Sequence, residues 1–149
     1  TVIQHLNKIL GNELVAINQY FLHARMYEDW GYNKLFERIN HEMEEETDHA
    51  SSMIKRILML GGTPKMTPST LNIGTDVPSM LQSDLALELH VREALKKGIR
   101  ICEQEFDYVT RDLLLQQLRD TEEDHAHWLE QQLGLIELMG LQNYLQSQI

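Results

Sequence analysis

Glu46-Thr47-Asp48-His49 and Glu122-Glu123-Asp124-His125 are the two stretches that decide how this chain folds. Each is Glu-x-x-His inside a long helical pattern, and a spacing of three residues puts both side chains on one helix face. Glu13 and Glu88 fall singly in two other helical patterns. One Glu from each of two helices plus Glu-x-x-His from each of the other two is the donor set with which a four-helix bundle holds two metal ions.

The apolar residues trace the same four faces. The inward seams read Leu6, Ile9, Glu13, Ile17, Tyr20, Ala24; then Leu35, Ile39, Glu42, Glu46, His49, Met53; then Leu81, Leu85, Glu88, Leu95, Ile99, Cys102; then Leu115, Leu118, Glu122, His125, Leu129, Leu133. Burying a lone carboxylate costs several kcal/mol unless it is paired or bound to metal. Four that converge repel one another, and two divalent cations cancel their charge. On this reading Glu46 and Glu122 bridge the two metals while Glu13 and Glu88 are terminal. Carboxylate with imidazole suits iron or manganese, with zinc a competitor. A single Glu-x-x-His arises often by chance; two of them in phase with two further seam glutamates do not.

Helical spacing predicts a first helix over about Val2 to Trp30, broken at Gly31, and a second over Asn33 to Leu60, stopped by Gly61-Gly62. A long connection from Thr63 to Val77 carries Pro64, Pro68 and Gly74. Pro78 opens a third helix to about Phe106. A fourth runs from Tyr108 to Leu133 and breaks at Gly134, and a short fifth covers Leu135 to about Leu145. Helices of roughly 25 to 30 residues are about 40 Å long. Short joins make two antiparallel hairpins, and the middle connection is long enough to return along the bundle. The fold class is all-α: a four-helix bundle with one long crossover and a short C-terminal helix. Glu88 follows Glu13 by 75 positions and Glu122 follows Glu46 by 76, so the two hairpins repeat one ligand plan.

The bulk properties agree. The 149 residues are enough for one domain with a real core, read here as residues 1–149. A 42% hydrophobic content excludes disorder, and a net charge of −10 argues against nucleic acid as a partner. Cys102 is the only cysteine, which fits a reducing cytoplasm. The first residues hold no long apolar run of the signal-peptide kind, and no stretch approaches the ~20 apolar residues of a transmembrane helix. A cytoplasmic protein without membrane contact is expected.

Other charged residues have plainer readings. Glu42, Glu44 and Glu45 read as a solvated or cavity face, with a lesser prospect of guiding metal. His41 and Glu45 form an i, i+4 pair that is an auxiliary metal candidate, against the simpler reading of an exposed pair. His23, His90 and His127 read as surface or interface residues. Tyr20 and Trp128 read either as core packing or as electron donors close to the metals.

The run Gly11-Asn12-Glu13-Leu14-Val15-Ala16-Ile17-Asn18-Gln19-Tyr20-Phe21-Leu22-His23-Ala24-Arg25-Met26 resembles the first helix of the bacterioferritins. So do Leu71-Asn72-Ile73-Gly74, Ser83-Asp84-Leu85-Ala86-Leu87-Glu88-Leu89 and Met139-Gly140-Leu141-Gln142-Asn143-Tyr144-Leu145-Gln146. The resemblance spans essentially the whole chain. It implies a ferritin-like bundle, a shell of 24 subunits around a mineral core, and ferroxidase activity: Fe(II) oxidised by O2 or H2O2 at a di-iron site and stored as ferric mineral. By position it implies Glu13, Glu46, His49, Glu88, Glu122 and His125 as catalytic metal ligands, and places His41 where some members hold an inner-surface iron.

One position departs from the pattern. Bacterioferritins ligate haem through a methionine directly after the ligand Glu of the second helix, and Thr47 stands there. The chain therefore looks like the haem-free, ferritin-type subunit, with haem not expected in the homo-oligomer. Co-assembly with a haem-binding bacterioferritin subunit, and a ferredoxin for iron release, are further expectations of the resemblance. The alternatives are a di-iron oxidase or peroxidase of rubrerythrin type, against which a single cysteine weighs, and a mainly structural subunit of a mixed shell, which has no need of six ligands.

Overall fold

The computed structural model describes residues 1–67 and 69–149. Pro68, one of the prolines read into the crossover, lies outside the described residues. The elements are α1 (Val2–Asp29), α2 (Asn33–Met59), α3 (Val77–Gln104), α4 (Tyr108–Arg119), a π-helical segment (Asp120–Ala126), α5 (His127–Met139) and α6 (Leu141–Ser147). Among the described residues there is no strand, and no helix is long and apolar enough to cross a membrane. α4, the π-helical segment and α5 follow one another without a gap and form the fourth rod of the bundle.

The helix ends have local causes. Asp76 caps α3 by accepting from the Ser79 amide at 2.9 Å, with Pro78 in the first turn, where its missing N–H costs nothing. Asp107 caps α4 through the Thr110 amide at 3.1 Å and also accepts from Arg56 of α2 at 3.1 Å, which pins the α3–α4 turn to the end of α2. The expected break at Gly134 does not occur: the helix runs through it to Met139. A helical glycine costs only about 1 kcal/mol against alanine, and Leu133 and Ile136 on either side of it pack against the core. The break falls at Gly140, whose φ of 80° is the left-handed conformation that only glycine adopts freely. α6 then folds back, burying Tyr144, whose hydroxyl donates to Gln132 Oε1 at 2.7 Å.

The crossover runs the length of α1. Asn7 exchanges bonds with Thr63 O and the Lys65 amide near one end; Gln19 Oε1 and His23 Nε2 accept from the Asn72 and Gly74 amides near the other. α3 therefore starts where α1 ends and runs antiparallel to it, and α4 runs antiparallel to α2. Gly98 lets α3 approach closely, since a Cβ there would stand 2.9 Å from Ile9 Cδ1 and 3.0 Å from Leu114 Cδ1.

The core is split in two. One apolar cluster gathers Tyr20, Tyr27, Leu35, Ile39, Leu81 and Leu129; the other gathers Leu6, Leu10, Met53, Ile57, Leu95 and Leu114. Between them lies a layer of buried charged groups from α1, α2, α3 and the π-helical segment.

Candidate metal centre

The seam of each helix carries its polar residues into that layer. Glu13, Glu46, Glu88, His49 and His125 are all buried. They form two groups that share Glu46: one ligand atom each from Glu13, Glu46 and His49, and one each from Glu46, Glu88 and His125, the atoms of each group within 4.8 Å of one another. His49 Nδ1 lies 3.4 Å from Glu46 Oε2 and 3.9 Å from Glu13 Oε2. His125 Nδ1 lies 3.0 Å from Glu46 Oε1 and 3.4 Å from Glu88 Oε1. Glu46 thus turns one oxygen to each imidazole, the disposition of a bridging carboxylate.

Both oxygens of Glu13, Glu46 Oε2, Glu88 Oε2 and His49 Nδ1 are buried with no hydrogen-bond partner. Orphaned buried acceptors of this kind are costly. Here they converge at two adjacent points, and the donor set of carboxylate oxygens and imidazole nitrogens fits divalent iron or manganese. In the metal-free chain, protons do part of that work. Burial disfavours charge on His125, yet hydrogen bonds to Glu42, Glu46 and Glu88 outweigh it and hold the imidazole well above its ordinary pKa. His49 moves the same way, burial being overcome by Glu46 and Asp120. Burial followed by repulsion from Glu46 pushes Glu88 up to about 7. Burial would raise Glu46 too, but its two histidine bonds bring it below the ordinary value. The Tyr20 hydroxyl donates to Glu88 Oε1, and burial, reinforced by that carboxylate, raises the phenol.

The predicted sixth residue, Glu122, is not brought to this layer; it is exposed. The π-helical segment is the reason. Its i→i+5 bonds widen the turn by one residue, so the inward line runs Leu114, Gln117, Thr121, His125. Thr121 takes the place the seam assigned to Glu122 and donates to Gln117 O at 3.0 Å.

Glu42 is also corrected. It is buried rather than solvated, accepts from Arg38 Nε at 2.7 Å and lies 2.6 Å from His125 Nε2. Glu45 Oε2 stands at the same 2.6 Å from that nitrogen, and Asp124 completes a third group of atoms close enough to share a cation. Arg38 reaches Asp124 at 2.6 Å and lies 4.9 Å over the Trp128 ring. His41 and Glu45 form the expected i, i+4 pair, at 2.7 Å, but only His41 is exposed; Glu45 is half-buried. His90 and His127 are exposed, whereas His23 is fully buried. The Gly74 amide donates to His23 Nε2 at 3.1 Å, so Nδ1 carries the proton and donates to Asp84 Oδ1 at 2.9 Å. Gln19 donates to the same oxygen at 2.9 Å. His23 lies between Tyr20 and Tyr27 on a buried line of α1, and Asp84 of α3 is the partner across the bundle that satisfies it there.

The family model of the ferritin-like domain matches residues 3–139. A bacterial ferritin of Neisseria meningitidis is 66% identical over 148 residues, 99% of this chain and 96% of the relative. A bacterial ferritin of Pseudomonas aeruginosa is 65% identical over the same shares of the two chains. A bacterioferritin of Brucella melitensis is 41% identical over 144 residues, 96% of this chain and 89% of the relative. With that domain match across most of its length, and those identities along nearly all of it, the chain belongs to the ferritin family, among its bacterial ferritins and bacterioferritins.

Proposed function

We propose that residues 1–149 form a single ferritin-like domain that stores iron and acts as a ferroxidase. Fe(II) is the substrate. Two Fe(II) each give one electron to a shared oxidant, taking O2 to H2O2 or H2O2 to water with uptake of two protons, and the Fe(III) is stored as mineral inside a shell of 24 copies. The observation that carries this reading is the convergence of buried carboxylate oxygens and imidazole nitrogens at two adjacent points in a ferritin-family bundle, four of the oxygens and His49 Nδ1 having no hydrogen-bond partner. Glu13, Glu46, His49, Glu88 and His125 are the proposed ligands. Glu122 joins them only if the π-helical segment changes register.

Thr47 is exposed and spends its hydroxyl on Met43 O at 2.9 Å, and it offers no sulfur. This supports a homo-oligomer without haem, in which haem enters through co-assembly with a methionine-bearing subunit. Isolating the native shell and finding one kind of subunit counts against co-assembly. A cytoplasmic setting, and a ferredoxin supplying electrons for iron release, complete the proposal. The rubrerythrin-type alternative has less support, since the one cysteine is buried and offers no rubredoxin-like centre.

The test is stopped-flow absorbance of the metal-free protein mixed with about two Fe(II) per subunit under O2, reading the ferric and Soret regions together. A rapid ferric signal saturating near two irons and no Soret band supports the proposal. Glu46→Ala, which removes the shared carboxylate, should abolish the rapid phase with the fold intact; undiminished oxidation in that variant sinks the site assignment.

A further inference from the structure

His49 is placed by a residue that neither the ligand pattern nor the seam contains. Its Nε2 lies 2.9 Å from Asp120 Oδ2, while its Nδ1 has no hydrogen-bond partner and faces Glu46 and Glu13. A neutral imidazole has one N–H and one lone pair. In the neutral form that can bind a metal, giving the N–H to Asp120 leaves the lone pair on Nδ1, which faces the buried carboxylates. This is the carboxylate–histidine arrangement that fixes ring orientation and tautomer in metal sites.

His125 is arranged in parallel. Its Nδ1 points inward to Glu46 and Glu88, and its Nε2 points outward to Glu42 and Glu45. The outer carboxylates of the two histidines differ, however. Glu42 is buried and clamped by Arg38. The Asp120 side chain is 47% exposed and lines, with Asp48, Ser52 and Gln117, a cavity of about 320 Å³ that also reaches His49. Removing the Asp120 carboxylate therefore opens no hole in the core, and its effect can be read without collapse of the fold.

We propose that Asp120 is a positioning residue of the centre: by accepting Nε2–H it commits His49 to bind metal through Nδ1, and it does so for one of the two metal positions only. This rests on the di-metal reading above. The test is a titration of the metal-free, assembled protein with Co(II) under argon, following the d–d bands, for the wild type, Asp120→Ala and Asp120→Asn. In Asp120→Ala one of the two Co(II) should bind about 10–100-fold more weakly and the other as in the wild type. Asp120→Asn keeps an acceptor oxygen and should hold both ions near wild-type affinity. Wild-type affinity for both ions in Asp120→Ala, or equal weakening of both ions in either variant, overturns the inference. Failure of the wild type itself to bind two Co(II) per subunit instead strikes the di-metal reading, and the inference with it.

Discussion

Glu88→Gln should make the metal-free protein more stable while destroying its centre. Glu88 is fully buried, and burial with the neighbouring Glu46 charge raises it to about 7, against about 4.3 for a free glutamate. A carboxyl raised in this way contributes stability that is complete below the unfolded pKa, near pH 4, and lost as pH climbs through about 7. Integrating between those values, the raised pKa of Glu88 costs on the order of 1 kcal/mol of stability at pH 5, where only the unfolded chain ionises, and about 3 to 4 kcal/mol at pH 8. Glutamine keeps the shape and still accepts the Tyr20 hydroxyl bond, but has no charge to bury. Urea denaturation of the metal-free variant, followed by circular dichroism, should show a gain over the wild type of about 3 kcal/mol at pH 8, shrinking to about 1 kcal/mol at pH 5. The same variant should lose most of the stabilisation that Co(II) gives the wild type. A variant less stable than the wild type at pH 8, or a gain that does not change with pH, refutes the claim that this layer is strained by charge and relieved by metal.

Three further outcomes follow from the packing. Gly98→Val should destabilise by about 1 to 3 kcal/mol, because even a Cβ there meets Ile9 and Leu114 at 3.0 Å or less; thermal melts at or above the wild-type midpoint contradict the close approach of α3. His23→Ala should cost about 1 to 3 kcal/mol, by leaving the Gly74 amide unpaired and Asp84 with its Gln19 bond alone, and should speed proteolysis within the crossover; unchanged cleavage there contradicts the anchoring role. Deleting Thr121 should let the π-helical segment close to α-helical spacing and bury the Glu122 carboxylate beside His125; a crystal structure of the deletion with Glu122 still exposed contradicts this account of the register.

Much of the buried polar layer was legible in the sequence because a charge in an apolar seam has few explanations. Glu13, Glu46, His49, Glu88 and His125 all sit where helical periodicity places them. Glu122 was misplaced because the periodicity assumes one kind of helix. The spacing held a trace of the error. Glu46 stands thirteen residues after the first residue of α2, and the residue thirteen after the first of α4 is Thr121, not Glu122. Since α1 and α3 are equally long and both turns hold three residues, the surplus residue had to lie in the fourth rod. Glu42 and His23 failed differently: whether a polar residue at a seam edge is buried depends on a partner across the bundle, Arg38 with His125 in one case and Asp84 in the other. Such partners are set by tertiary packing and have no signature in their own helix. Gly134 shows the same limit in reverse, a breaker overridden by the contacts of the turns around it.

The central claim is that buried glutamates and histidines of four helical segments hold two metal ions that share Glu46. Anomalous diffraction from crystals loaded anaerobically with Fe(II) tests it most directly. The account predicts two iron peaks in the polar layer, one bounded by Glu13, Glu46 and His49 and the other by Glu46, Glu88 and His125. No iron between these residues, with peaks confined to the His41–Glu45 pair, would contradict it.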